Sequence, residues 1–83
     1  MKELKIGNSI DDAIPIHVTN EVEGISAEYQ YIALIFGVRN KDWKTLHQDL
    51  MTKFGHHYDR ITILLKDGTE KDIYFDITEF FGK

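Results

Sequence analysis

No cysteine occurs anywhere in the 83 residues. Its absence excludes a disulfide staple, a thiol nucleophile and a thiolate zinc site, while leaving the redox compartment open. Proline is nearly missing too: the single one is Pro15, and the chain shows no linker, low-complexity tract or internal repeat. The six glycines, at 7, 24, 37, 55, 68 and 82, lie too far apart to form a phosphate-cradling loop, so they read as helix stops and turn residues. There is no surplus of positive charge. A net charge of −4 argues against general affinity for a phosphate backbone, which demands a basic face. No run approaches the roughly 18 apolar residues of a membrane span, and the opening "MKELKIGNSIDDAIPI" lacks the apolar centre of a signal peptide. These absences lead to the expectation of a soluble, cytoplasmic protein without membrane contact.

What is present suits one small globular domain over residues 1–83, with 42% hydrophobic and 12% aromatic content. Leu4 and Ile6 flank Lys5 in a pattern that permits a short strand or an ordered arm. Ile14, Ile16 and Val18 then alternate, and because Pro15 cannot donate a ladder hydrogen bond the segment suits an edge strand. From Asn20 the period changes. Asn20 and Glu23 form an N-cap signature, and Val22, Ile25, Tyr29, Ile32 and Phe36 follow at helical spacing until Gly37. The second half of this helix, "YQYIALIF", is apolar nearly all round, which leaves Tyr31, Leu34 and Ile35 as side chains needing a cover.

Asn40 or Asp42 can cap a second helix, in which Trp43, Leu46, His47, Leu50, Met51 and Phe54 complete an apolar stripe before Gly55. "YDRITILL" and "KDIYFDI", rich in β-branched and aromatic residues and joined by "KDGT", predict a C-terminal hairpin. Its register follows from its faces. A two-residue loop mixes polar and apolar side chains on each face, whereas a three-residue Lys66-Asp67-Gly68 loop pairs Leu65 with Thr69 and Ile61 with Ile73. Ile61, Ile63, Leu65, Ile73, Phe75 and Ile77 then point inward; Tyr58, Arg60, Thr62, Tyr74 and Asp76 point outward. Phe80 or Phe81 should dock against this hairpin. The expected architecture is α+β, a two-layer domain in the order strand-helix-helix-strand-strand with both helices on one face of a mostly antiparallel sheet.

No catalytic constellation emerges. Ser9 and Ser26 sit in no nucleophile elbow. "GHHYD" sets His57 and Asp59 on one strand face, where His47 from the second helix would join them as an incomplete metal or acid-base site. Arg39, Lys41 and Lys44 around Trp43 give a weak single-stranded nucleic-acid pattern, set against the acidic whole. The leading expectation is a non-enzymatic protein-interaction or regulatory module without cofactor or metal, its partner another protein or a second copy of itself. The candidate contact residues are Tyr31, Leu34 and Ile35 on the helix and Tyr58, Arg60 and Tyr74 on the outer sheet face.

Overall fold

The computed structural model describes residues 6–82. Strand β1 spans Ile14–Pro15, helix α1 Glu21–Phe36, strand β2 Trp43–Lys53, strand β3 His56–Leu65 and strand β4 Glu70–Asp76. The strands form one mixed sheet in the order β1-β4-β3-β2, with β1 parallel to β4 and the other pairs antiparallel. The fold is therefore a compact α+β domain with a single α-helix among the described residues. No helix there is long and apolar enough to cross a membrane.

The hairpin has the register that its faces demand. Ile61 pairs with Ile73 and Arg60 with Tyr74, and the Leu65 amide donates to the Thr69 carbonyl across a loop in which Gly68 takes φ +89°. Pro15 lies in the edge strand, with Ile14 beside Phe75. The Leu4–Lys5 part of the N-terminal arm falls outside the described residues; beyond it, the Gly7 carbonyl accepts from the Tyr74 amide along β4. Ile61, Ile63, Ile73 and Phe75 are buried under α1 together with Ile14, Ile16, Ile32, Ile77 and Phe80. Each fully buried side chain of this size contributes about 1.5–3 kcal/mol.

The segment from Trp43 to Phe54 is a strand and not a second helix, which corrects the expected element order. Asp42 does not cap a helix: its carboxylate accepts from the Val38 amide within the preceding turn, and Asn40 sits at φ +67°. Pairing with β3 outweighs the helical spacing of the apolar residues, because it satisfies the second edge of that strand along its length. One irregularity interrupts the ladder, where Leu46 bulges out between Thr45 and His47.

Helix α1 begins as the cap signature predicts, with Asn20 Oδ1 accepting from the Glu23 amide. Its buried line, however, is Gly24, Glu28 and Ile32. Of the predicted stripe, Ile32 is buried and Tyr29 and Phe36 pack against the core, whereas Val22 and Ile25 turn away from it, leaving Val22 81% exposed. Gly24 permits this rotation, since a Cβ there would lie 2.5 Å from the ring of Phe80.

The turn joining β2 to β3 consists of Phe54 and Gly55 at φ +51° and +77°, between the paired residues Lys53 and His56. Positive φ at both central positions is the type I′ geometry that favours Asn-Gly, and a bulky residue in that region costs roughly 1–2 kcal/mol. Phe54 is 90% exposed and loses little packing when replaced. Phe54→Asn should therefore raise stability by about 0.5–1 kcal/mol and the thermal midpoint by several degrees. An unchanged or lowered midpoint on thermal unfolding would contradict the turn assignment.

Candidate functional site

Because β2 is a strand, the three residues considered for a metal or acid-base site are separated. Asp59 and His57 lie on the face under α1, whereas His47 pairs with Thr62 on the opposite face, with Nε2 3.9 Å from Asp49. His57 stacks on Phe81 at 4.0 Å between ring centroids and meets the Thr52 hydroxyl at 3.1 Å. His56 turns outward to Asp76, 3.3 Å away. Burial pushes the Asp76 carboxyl up, but the Thr78 hydroxyl and amide together with His56 hold it below the ordinary range. His17, with Glu79 at 3.1 Å, borders the same hollow of about 190 Å³. Among the described residues no three histidine or acidic side chains are placed to hold a metal ion.

The sequence reading missed the most unusual polar group, Glu28, which is 0% exposed at the centre of the helix–sheet interface. Neither of its oxygens meets an N–H or hydroxyl donor. Burial, and then the facing Asp59 carboxyl, pushes its pKa up to about 9. Two carboxylates this close in a dry site cannot both be charged, so Glu28 keeps its proton and offers it to Asp59. Asp59 is itself raised by burial, partly offset by hydrogen bonds from Glu28 and from Gln48, whose Nε2 donates to Oδ2. The pair is sealed from solvent beneath α1 and offers no substrate a way in. It acts on the fold: a neutral acid fixes the phase of α1 over β3.

Trp43 is equally enclosed. Its Nε1 donates to the Gly37 carbonyl at 2.8 Å and its ring stacks on Tyr29, which Arg39 covers at 4.3 Å. A tryptophan held in this way presents no free face to a nucleic-acid base, so the pattern formed with Lys41 and Lys44 lacks its stacking platform.

The remaining candidates are surfaces. On α1, Tyr31 is half-buried with its ring edge-on to Phe75, and Ile35 is half-buried beside Ile6 and Ile73, leaving Leu34 as the exposed member of that trio. On the outer sheet face, Tyr58, Arg60 and Tyr74 are neighbours and all half-buried. Arg60 Nη2 donates to Asp49 at 2.8 Å, which holds the Asp49 carboxyl below its ordinary range. A groove of about 360 Å³ runs at one end of this face between Ile10, Pro15, Phe54 and Tyr58.

A third surface arises where β2 extends beyond the helix. A helix about 10 Å across covers roughly two strands spaced about 4.8 Å apart, and α1 lies over β3 and β4. Leu50, paired with Asp59 on the helix-facing side, is consequently 56% exposed. The Tyr29 hydroxyl reaches toward Gln48 Oε1 at 3.5 Å, so this flank of α1 overhangs β2. Ile25 and Val22, one and two turns earlier on the same flank, are exposed beside it. Among the described residues no strand pairs with the outer edge of β2. Reading residues 43–54 as a helix hid this edge, and a strand assignment would have revealed it.

The acid pair makes stability depend on pH. Folded Glu28 holds a proton that the unfolded chain releases above its ordinary value of 4.5, so its contribution is fully present below that pH and is lost as the pH climbs toward 9. Chemical unfolding of the wild type should show stability falling by up to roughly 1.4 kcal/mol per pH unit between about pH 6 and about pH 8. Glu28→Gln keeps a donor for Asp59 without the ionisation and should flatten that slope; equal slopes in the two proteins would rule out a protonated Glu28. No protein-family model matches the chain, and neither a curated protein nor a solved structure matches it.

Proposed function

We propose that the protein is a non-enzymatic interaction module that binds another protein along the free edge of β2 and the adjoining flank of α1. The observation that carries this reading is the exposed Leu50, an apolar side chain on the helix-facing side of an 11-residue strand whose outer edge, beyond the Arg39 bridge at Trp43, pairs with no strand among the described residues. Long unpaired edges are ready templates for another chain, which gains main-chain hydrogen bonds from the edge and side-chain contacts from either face. Val22 and Ile25 extend the apolar strip along the helix. The nearby polar rim of Gln48 and Thr52 suits an interface exposed to solvent in the free protein. The outer-face residues Tyr58, Arg60 and Tyr74 serve here as support, since Arg60 on β3 anchors Asp49 of β2.

This surface differs from the metal and nucleic-acid readings in the residues on which it depends. Leu50→Lys places a charge on an already exposed site and should change stability by no more than about 0.5 kcal/mol. Wild-type protein immobilised through one terminus should retain a defined protein from a cell extract, or added free wild-type protein, and the Leu50→Lys form should lose that retention at least tenfold. Equal retention by the two forms, with both folded by circular dichroism, would remove β2 as the contact surface.

A further inference from the structure

We infer that the partner fitted by the β2 edge is a second copy of this chain, docked antiparallel about Leu50 so that two sheets join into one. The inference rests on the interaction reading above and adds the identity and register of the partner.

The backbone determines which groups are free. In a two-residue hairpin the flanking residues, here Lys53 and His56, exchange both of their hydrogen bonds. The pairing then runs without a break from Lys53 back to His47, so by alternation the amides and carbonyls of Lys53, Met51 and Asp49 point to β3. Those of Thr52, Leu50 and Gln48 point away from it. The bulge at Leu46 ends this regular stretch and closes the earlier half of the strand to straightforward pairing.

A two-fold axis at Leu50 uses all three free residues. Leu50 pairs with Leu50 of the second copy, and Gln48 pairs with Thr52 on either side, each pair exchanging both backbone bonds. An axis at Met51 would bring only Leu50 and Thr52 into bonded pairs, and an axis at Asp49 would place two carboxylates directly opposite each other, which is unfavourable.

Side chains agree with the same axis. On the helix-facing side the two Leu50 side chains meet, with the exposed Ile25 of each copy above them. On the outer side Asp49 lies diagonal to Lys53 of the second copy, within reach of a long side chain. One step past the paired stretch, Phe54 of one copy falls beside the bulged Leu46 of the other. The exposed apolar residues of the β2 hairpin, Leu46, Leu50 and Phe54, are thereby brought together in one contact.

Because the chain contains no cysteine, single substitutions can report this register directly. In a hydrogen-bonded antiparallel pair the Cα atoms lie about 5.5 Å apart, within disulfide range, whereas Thr52 and its counterpart would be separated by four residues of strand, roughly 13 Å. Sedimentation and light scattering of the wild type across a wide concentration range should show a mass rising to twice that of the monomer. Under mild oxidation Leu50→Cys should form a covalent dimer at least tenfold faster than Thr52→Cys. Leu50→Pro, which removes an amide pointing away from β3 and so spares the internal ladder, should remain monomeric and folded at concentrations where the wild type is dimeric.

A wild-type dimer in which Thr52→Cys cross-links as fast as Leu50→Cys, or one that persists in folded Leu50→Pro, would overturn the inference. A wild type that stays monomeric at every concentration would also overturn it. In that case, retention of a different protein that is lost in Leu50→Lys would leave the interaction reading standing, whereas no such retention would end both.

Discussion

Strand β3 needs a hydrogen-bonding neighbour along both edges, and the rest of the molecule is arranged around that requirement. It carries Ile61 and Ile63 at the centre of the core, so it cannot stand as the rim of a two-stranded ribbon, which is marginally stable in water. One edge is taken by β4 through a three-residue turn that admits a single register. The other can be met only by the preceding segment, whose apolar residues fit a helix equally well. Each unpaired buried backbone group would cost about 1–3 kcal/mol, while a helical preference amounts to tenths per residue. The ladder prevails.

The same strand brings Asp59 beneath the helix, and this explains an otherwise improbable buried glutamate. A Glu28 exposed on the helix surface would be ordinary; one aimed into an apolar interface must shed its charge or find a cation. No cation among the described residues faces it, so Glu28 keeps its proton and donates that hydrogen to Asp59, which is also bound to Gln48 of β2. The arrangement links the helix, the central strand and the edge strand through one polar chain. That chain fixes the helix phase more narrowly than isoleucine contacts alone can, because rotating the helix by one residue, about 100°, would leave the carboxylate of Asp59 without the Glu28 donor.

How much of this was legible follows from where each signal originates. The hairpin could be read to the individual pair, since its turn and its face alternation are both local and agree. The cap at Asn20 and the edge position of Pro15 were local as well. The second helix was misread because the spacing of Trp43, Leu46, Leu50 and Phe54 satisfies two periods at once when a bulge shifts the strand's alternation by one residue. Phe54 concealed the turn further, standing where asparagine would have announced it. Glu28 was invisible for a different reason: on a helix with charged neighbours its burial depends on Gly24 admitting Phe80, a contact between distant parts of the chain. The misassigned segment carried the site with it, so His47 was joined to the wrong face and the β2 edge was overlooked.

The same segment also accounts for the exposed apolar surface of this molecule. A second helix would have covered the sheet beside α1, as the layer logic of a two-layer domain requires. Residues 43–54 cannot serve both as neighbour to β3 and as cover, and having become a strand they widen the sheet while removing the element that would have shielded it. Leu46, Leu50 and Phe54 are the residues that would have faced the core from such a helix, and they now stand in solvent on the outermost strand and its turn. Edge strands usually carry lysine, proline or a bulge against unwanted pairing. Here Lys44 and the Leu46 bulge guard the first half of β2, whereas from His47 to Thr52 the ladder is regular and contains no lysine, proline or glycine. Protection confined to half of an edge leaves the other half able to pair in a defined register, which is the physical distinction between a specific contact and indiscriminate aggregation.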